Sequence, residues 1–310
     1  MPLIGERLHR GNAVADRILT WPGDASSSGD SVPLRLAGAL HALKIAGLAL
    51  EDVYPPEDVP DDRLWDVVNA ALIDHEEHIL RWLDSPPQTN EVRRAAVLLP
   101  ALVHATRGHD GPVELLELGA SAGLNLRFDQ FRLDLRQKGL GPENSTVRLT
   151  PEWSGPVPSG HVPPVISRRG IDLNPLDISK EGDRLRLMAY LWPDQPNRTE
   201  LTEAAIGIAA RVPAEIAHGD AGVWLEDILS DPAPDRLRIV FHTVAWQYFP
   251  EQSKARALNA LSKVSSPVVQ IAMEDDGGDG AAITLTHWPD GSQTVLGRAS
   301  FHGLWVRWAG

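Results

Sequence analysis

Residues 112–126, Pro-Val-Glu-Leu-Leu-Glu-Leu-Gly-Ala-Ser-Ala-Gly-Leu-Asn-Leu, constrain this chain more than any other stretch. The run from Val113 to Leu118 suits a buried strand, Gly119 and Gly123 bracket a tight turn, and Leu124 restarts an apolar period of helical type. In that order, strand, turn and helix form the entrance of a nucleotide-type pocket. Glycine permits positive φ and lets a ligand approach bare backbone. Unpaired amides in the first turn of a helix favour a carboxylate or phosphate beside them. The same residues also suit an ordinary βα turn without a ligand.

The 310 residues, 43% of them hydrophobic, suffice for a large core. The net charge is −13 and no block of Lys or Arg interrupts it, which disfavours both a nucleic-acid backbone and an anionic membrane surface as partners. The absence of cysteine excludes disulfides, thiolate metal sites and cysteine nucleophiles. The apolar stretch 95–105 is interrupted by Pro100 and His104 and falls short of the ~20 residues that a membrane span requires. Residues 1–21 mix Glu6, Arg7, His9, Arg10, Asp16 and Arg17 with apolar positions, unlike a secretion signal, and the expected location is cytoplasmic.

Periodicity predicts helices over 34–50, 61–83 and 90–107, so residues 1–85 read as a helical amino-terminal region. From 86 to 310 the pattern changes. Strand-like segments at 113–118, 162–172, 214–218, 237–243 and 268–274 alternate with helical ones at 123–132, 179–211, 221–230 and 250–264. Such alternation predicts an α/β fold with a doubly wound, Rossmann-like, mostly parallel sheet. Residues 283–308 read as antiparallel edge strands, and 136–164, rich in Gly, Pro and Ser, as an insertion.

In doubly wound sheets the ligand sits beyond the carboxyl ends of the strands, and here those ends are polar. Glu117 and the Gly119 turn follow the first, Asp172 ends the second, His218-Gly-Asp220 follows the third and His242 the fourth. Asp172 is the candidate acceptor for ribose hydroxyls, although it lies much further from the glycine turn than the roughly 20 residues of a compact dinucleotide unit. A helix cap before Pro175 is its other reading.

Glu117-Leu-Gly-Ala-Ser-Ala-Gly123, Asp172 and Gly219-Asp220 together resemble the cofactor motifs of class I S-adenosylmethionine-dependent methyltransferases. Residues 86–308 are also similar to a bacterial family of unknown function placed in that fold group. The likeness rests on Pro86-Pro-Gln-Thr-Asn-Glu91, residues 116–129, Arg168-Arg-Gly-Ile-Asp-Leu-Asn-Pro175, Trp192-Pro-Asp-Gln195, Phe241-His-Thr243 and residues 302–308. It implies S-adenosylmethionine as cofactor, bound by Glu117, Gly119, Ala120, Ser121, Gly123, Asp172 and Asp220. Ser121 stands where that turn usually has a central glycine. A dinucleotide pyrophosphate needs that glycine, whereas a phosphate-free cofactor tolerates serine.

The expected function is methyl transfer to a small molecule. The sulfonium already activates the methyl group, so the protein mainly aligns the acceptor. His242 is the candidate general base and Tyr248 a group that orients the acceptor. Gln88, Asn90 and Glu91 read as a lid or as a helix cap, Arg169, with Arg168, as an anion binder or an ion-pair partner, and Trp192 and Trp246 as an aromatic wall or as core. Two alternatives stand beside this reading. One is a binder of S-adenosylmethionine or a nucleoside without catalysis. The other is a serine hydrolase, since Gly119-Ala-Ser-Ala-Gly123 also spells a nucleophile elbow, with Ser121 as nucleophile and His287 or His302 as base. No metal site is expected: His75 and His78 share a helix face but lack a third ligand, and Glu274-Asp-Asp-Gly-Gly-Asp279 reads as an exposed turn.

Overall fold

The computed structural model describes residues 2–26, 29–136 and 138–310. The chain begins with α1 (Pro2–Arg7), α2 (Ala13–Leu19), α3 (Val32–Ile45), α4 (Asp61–Asp74), α5 (Glu76–Leu83) and α6 (Ala95–Ala105), and then enters β1 (Val113–Leu118). A 3-10 helix, Leu124–Gln130, leads to β2 (Arg132–Leu135), β3 (Lys138–Leu140), β4 (Arg148–Leu149), β5 (Glu152–Ser154) and β6 (Val165–Asp172). Next come α7 (Glu181–Ala189), α8 (Pro196–Ala209), β7 (Glu215–His218), α9 (Ala221–Ser230), β8 (Leu237–Thr243) and α10 (Glu251–Ser262). The chain ends with β9 (Val268–Asp275), β10 (Ala281–Trp288), β11 (Ser292–Ala299) and β12 (Trp305–Trp308). Two compact units result, a helical one of residues 1–89 and 177–200 and an α/β one of residues 90–176 and 201–310. The helical unit is therefore discontinuous in sequence, whereas the composition change predicts a single boundary near 85.

In the helical unit, Leu36, Leu40 and Leu43 of α3 are buried with Leu72 of α4 and with Ile79 and Leu83 of α5. The expected helix 61–83 is broken at His75, whose φ of −117° and ψ of 29° leave the helical region. Arg35 of α3 donates to the Leu83 carbonyl at 2.8 Å, placing a cation at the carboxyl end of α5 where the helix dipole favours it.

The α/β unit carries a nine-stranded sheet in the order β5-β12-β11-β10-β9-β8-β1-β6-β7. Its core is parallel, from β9 through β8, β1 and β6 to β7. The antiparallel meander β10-β11-β12 extends one edge, as the sequence predicts. All six residues of β1 are buried, consistent with a central strand that has neighbours on both sides. The chain runs outward from β1 to β6 and β7, then returns to place β8 on the other side of β1. The winding direction thus reverses between β1 and β8.

Side chains alternate between the faces. Leu116, Leu118, Ile171 and Val240 pack with Leu225 and Ile228 of α9 and with Ala257 and Leu261 of α10. On the opposite face Phe241 meets Phe128 of the 3-10 helix edge-on at 5.5 Å. The expected insertion is partly ordered sheet: β3 and β4 join β2, while β5 pairs with β12 at the far edge. Gln137, inside that segment, lies outside the described residues.

Candidate functional site

The reversal between β1 and β8 is the point at which doubly wound sheets bind ligands, and the backbone there is unusual. Gly119 and Gly123 adopt φ of 75° and 66°, and the intervening Ser121 has φ of 51°. Val244, just past β8, has φ of 50° although it is β-branched. Left-handed backbone costs a non-glycine residue about 1–2 kcal/mol and tends to occur at functional sites. Two such residues therefore flank the switch point, one at the end of each strand.

The glycine turn is held from within. Gly119 N and Ala120 N both donate to the Ile171 carbonyl, at 2.9 and 3.0 Å, and Gly123 N donates to Ala120 O at 2.6 Å. Ser121 N donates to Asp172 Oδ2 at 2.8 Å, and Asp172 Oδ1 accepts from Asn174 N at 2.8 Å. Leu124 N donates to Asn90 Oδ1, also at 2.8 Å. The amides expected to receive an anion are thus largely engaged, and the segment after the turn is a seven-residue 3-10 helix, not an α-helix. A Cβ at Gly119 would lie 2.8 Å from Ala245 Cβ, and one at Gly123 would lie 2.5 Å from Ile216 Cδ1. Close packing accounts for both glycines.

Glu117 differs from these satisfied groups. It is 2% exposed, on the sheet face that carries Phe241, and its Oε2 is buried with no hydrogen-bond partner. Burial pushes its carboxyl well above the usual range; Arg127 and Arg94 oppose this, and the Asp172 carboxylate adds to it. Burial in turn lowers Arg127 to about 10. Ser121 Oγ is the second buried atom here without a partner.

The other sheet face carries a closed network. Trp288 Nε1 donates to Gln270 Oε1 at 3.0 Å, and because indole only donates, the Gln270 amide nitrogen must point to His242 Nε2, 3.0 Å away. His242 Nε2 accepts, so Nδ1 carries the proton and donates to Glu274 Oε1 at 2.7 Å. Trp246 stacks on the imidazole at 4.9 Å and lies in the cluster with α9 and α10. Both ring nitrogens of His242 are therefore engaged, and neither is poised to take a proton from a ligand. His242 and Glu117 also project from opposite faces, so their side chains do not converge.

Over residues 1–308 the sequence matches the family described as Uncharacterized protein conserved in bacteria (DUF2332). The chain belongs to this family. A search of curated proteins finds no match.

Several other candidate residues of this DUF2332 chain have internal partners or belong to the helical unit. Arg169 donates to Glu114 Oε1 at 2.6 and 2.9 Å, and Arg236 and Arg238 reach Glu114 Oε2, so the guanidinium proposed for an anionic acceptor serves a buried carboxylate instead. Arg168 pairs with Asp129 at 2.5 Å. Asp220 caps α9, its side chain accepting from Val223 N at 2.9 Å. Glu91 caps the following 3-10 turn, accepting from Arg93 N at 3.2 Å, and Asn90 anchors the glycine turn; neither forms a lid. Tyr248 is exposed beside the end of β8. Gln88 and Trp192 belong to the helical unit. His78 Nε2 lies 3.2 Å from the Ala39 carbonyl.

The hydrolase arrangement also loses one base. His287 is paired with Val269 near the start of β9, at the end of the sheet away from Ser121. His302, in the loop before β12, is exposed.

Sequence reasoning passes over Arg94 at this edge and reads Glu274 as the start of an exposed turn, whereas Glu274 is a partly buried residue of β9. Arg94 donates to the Thr243 carbonyl and to the Phe301 carbonyl, both at 2.9 Å. Burial lowers its guanidinium, opposed by Glu91, Glu274, Tyr248 and Glu117 nearby. Glu274 Oε1 accepts from Ala245 N at 3.0 Å and Trp246 N at 3.2 Å as well as from His242, while its Oε2 is buried without a partner. Arg94 and Glu274 thus hold the strained segment 243–246 from both ends. The available signal was position, since Glu274 is an inward residue at the carboxyl end of the fifth parallel strand.

Proposed function

We propose that the α/β unit binds S-adenosylmethionine at the carboxyl ends of β1 and β8 and transfers its methyl group to a small molecule. The observation that carries this reading is Glu117: a buried carboxyl with an unpartnered oxygen beside the glycine turn of the central strand, where the winding reverses. The unpartnered Ser121 hydroxyl and the strained residues on both sides of the switch point add support. When bound, the cofactor supplies an activated methyl group. Glu117 and Ser121 would hold it by accepting and donating hydrogen bonds. Asp172 would act through the turn, fixing the Ser121 amide, and Arg94 would fix the segment after β8.

With His242 engaged at both nitrogens, the acceptor is one that needs no proton removed before attack, such as a group already ionised at neutral pH. The same engagement favours a second reading, a protein that binds the cofactor without turnover.

Calorimetric titration with S-adenosylmethionine tests the site. Saturable binding is expected, weakened at least tenfold in Glu117→Ala. A screen for demethylated cofactor with candidate acceptors then separates enzyme from binder. Absence of heat and of a thermal shift at saturating cofactor removes both readings.

A further inference from the structure

The motif Trp192-Pro-Asp-Gln195 has no part in the proposed cofactor site, yet Trp192, Pro193 and Asp194 wall a cavity inside the helical unit. The lining also includes Tyr54, Leu64 and Trp65, and the volume is ≈ 150 Å³. A dry apolar cavity of about 150 Å³ accepts a benzene ring. Trp192 remains 42% exposed although it borders this apolar hollow, so a large aromatic surface stays wet unless a ligand covers it.

The walls also carry a sign of charge. Asp194 is the one charged residue among the described residues that line the cavity, and it is exposed. Three aromatic rings, Tyr54, Trp65 and Trp192, line the cavity and offer apolar surface to the carbon part of a ligand, leaving the charge preference to Asp194. The phenol of Tyr54 donates to the Ala37 carbonyl at 3.2 Å, and burial pushes it up to about 12, so it adds no negative charge. Lys44, the neighbouring cation, is directed to the Tyr54 and Pro55 carbonyls at 2.9 Å each. The turn is fixed by Gln195 N donating to Trp192 O at 3.0 Å and by Arg198 NH1 donating to Gln195 Oε1 at 3.2 Å.

We infer that this cavity binds a small organic ammonium ion, its apolar group seated among Trp192, Trp65 and Tyr54 and its charge beside Asp194.

Indole NMR of the full chain, with benzylammonium, benzyl alcohol and benzoate as isosteric probes of different charge, tests the inference. Benzylammonium is expected to move the Trp192 and Trp65 signals and to bind roughly two- to fivefold more tightly than benzyl alcohol, the range of an exposed charge pair, with benzoate the weakest. Asp194→Asn should erase the advantage of the amine and leave benzyl alcohol unchanged. Trp192→Ala should weaken both probes; because Trp192 is partly exposed, an unaltered melting curve should confirm its fold. Benzoate equal to benzylammonium, an advantage that survives Asp194→Asn, or no movement of either indole overturns the inference. Titration of the same sample with S-adenosylmethionine reads the other unit independently.

Discussion

Asp172→Ala separates a residue that shapes the turn from one that only contacts a ligand. The carboxylate accepts two backbone amides at 2.8 Å each, Ser121 N in a partly buried setting and Asn174 N at the surface. A hydrogen bond to a charged acceptor contributes about 1.5–3 kcal/mol, and solvent recovers most of the exposed one, so the loss should be about 2 kcal/mol. In a chain of this size that lowers Tm by roughly 3 °C without any ligand. Hydrogen exchange should localise the effect, with protection of the Ser121 amide falling by about thirtyfold. Asp172→Asn, which keeps one acceptor oxygen, should fall between the two proteins. A Tm within about 1 °C of the parent, together with a still protected Ser121 amide, would refute the assignment of Asp172 to the turn.

Glu117→Gln should stabilise the ligand-free protein increasingly as pH rises. Burial raises the folded-state pKa, so the stability contributed by the protonated parent carboxyl is complete below the ordinary glutamate range and is lost as pH climbs through the raised value; melting curves across that window would show the two proteins diverging. Gly123→Ala should be destabilising because its Cβ would meet Ile216 Cδ1 at 2.5 Å, and Ile216→Val should recover the steric part, leaving about 1–2 kcal/mol for positive φ. A double-mutant cycle without coupling contradicts that packing. Phe128→Ala should cost about 3–5 kcal/mol by chemical denaturation, since the ring is fully buried against Phe241. Glu274→Ala leaves the Ala245 and Trp246 amides and His242 Nδ1 without their shared acceptor; unfolding about 3 kcal/mol easier is expected, with altered His242 ring resonances as the local readout.

Where local pattern decides the outcome, the sequence was legible. The strands 113–118 and 237–243 and the helix 221–230 occur at the bounds that periodicity predicts, because each is apolar on the side that packs. The break at His75 was not legible, since neither glycine nor proline marks it. The helical character after Gly123 was, but not its 3-10 form. That form goes with the capture of Leu124 N by Asn90, a partner 34 residues upstream. Site roles were the least legible. Residue type nominated His242, Arg169 and Asp220 for chemistry, yet His242 and Arg169 spend their polar atoms on distant partners that no local spacing records, and Asp220 serves as the cap of α9. Arg94 was missed and Glu274 misread for the converse reason, as their importance comes from carbonyls and amides on distant strands.

The segment 177–200 lies between two strands of the sheet in sequence but belongs with the first 89 residues. During synthesis the amino-terminal helices must therefore wait until α7 leaves the ribosome before their core can close, with Trp82 and Tyr190 meeting only then. For the same reason, cutting the gene after codon 89 would not yield a clean sheet domain: the product would still carry α7, and Ala189 and Tyr190 at its end would lack the core residues of the first helices that bury them. Expression of the sheet unit alone calls for a short linker that replaces 177–200.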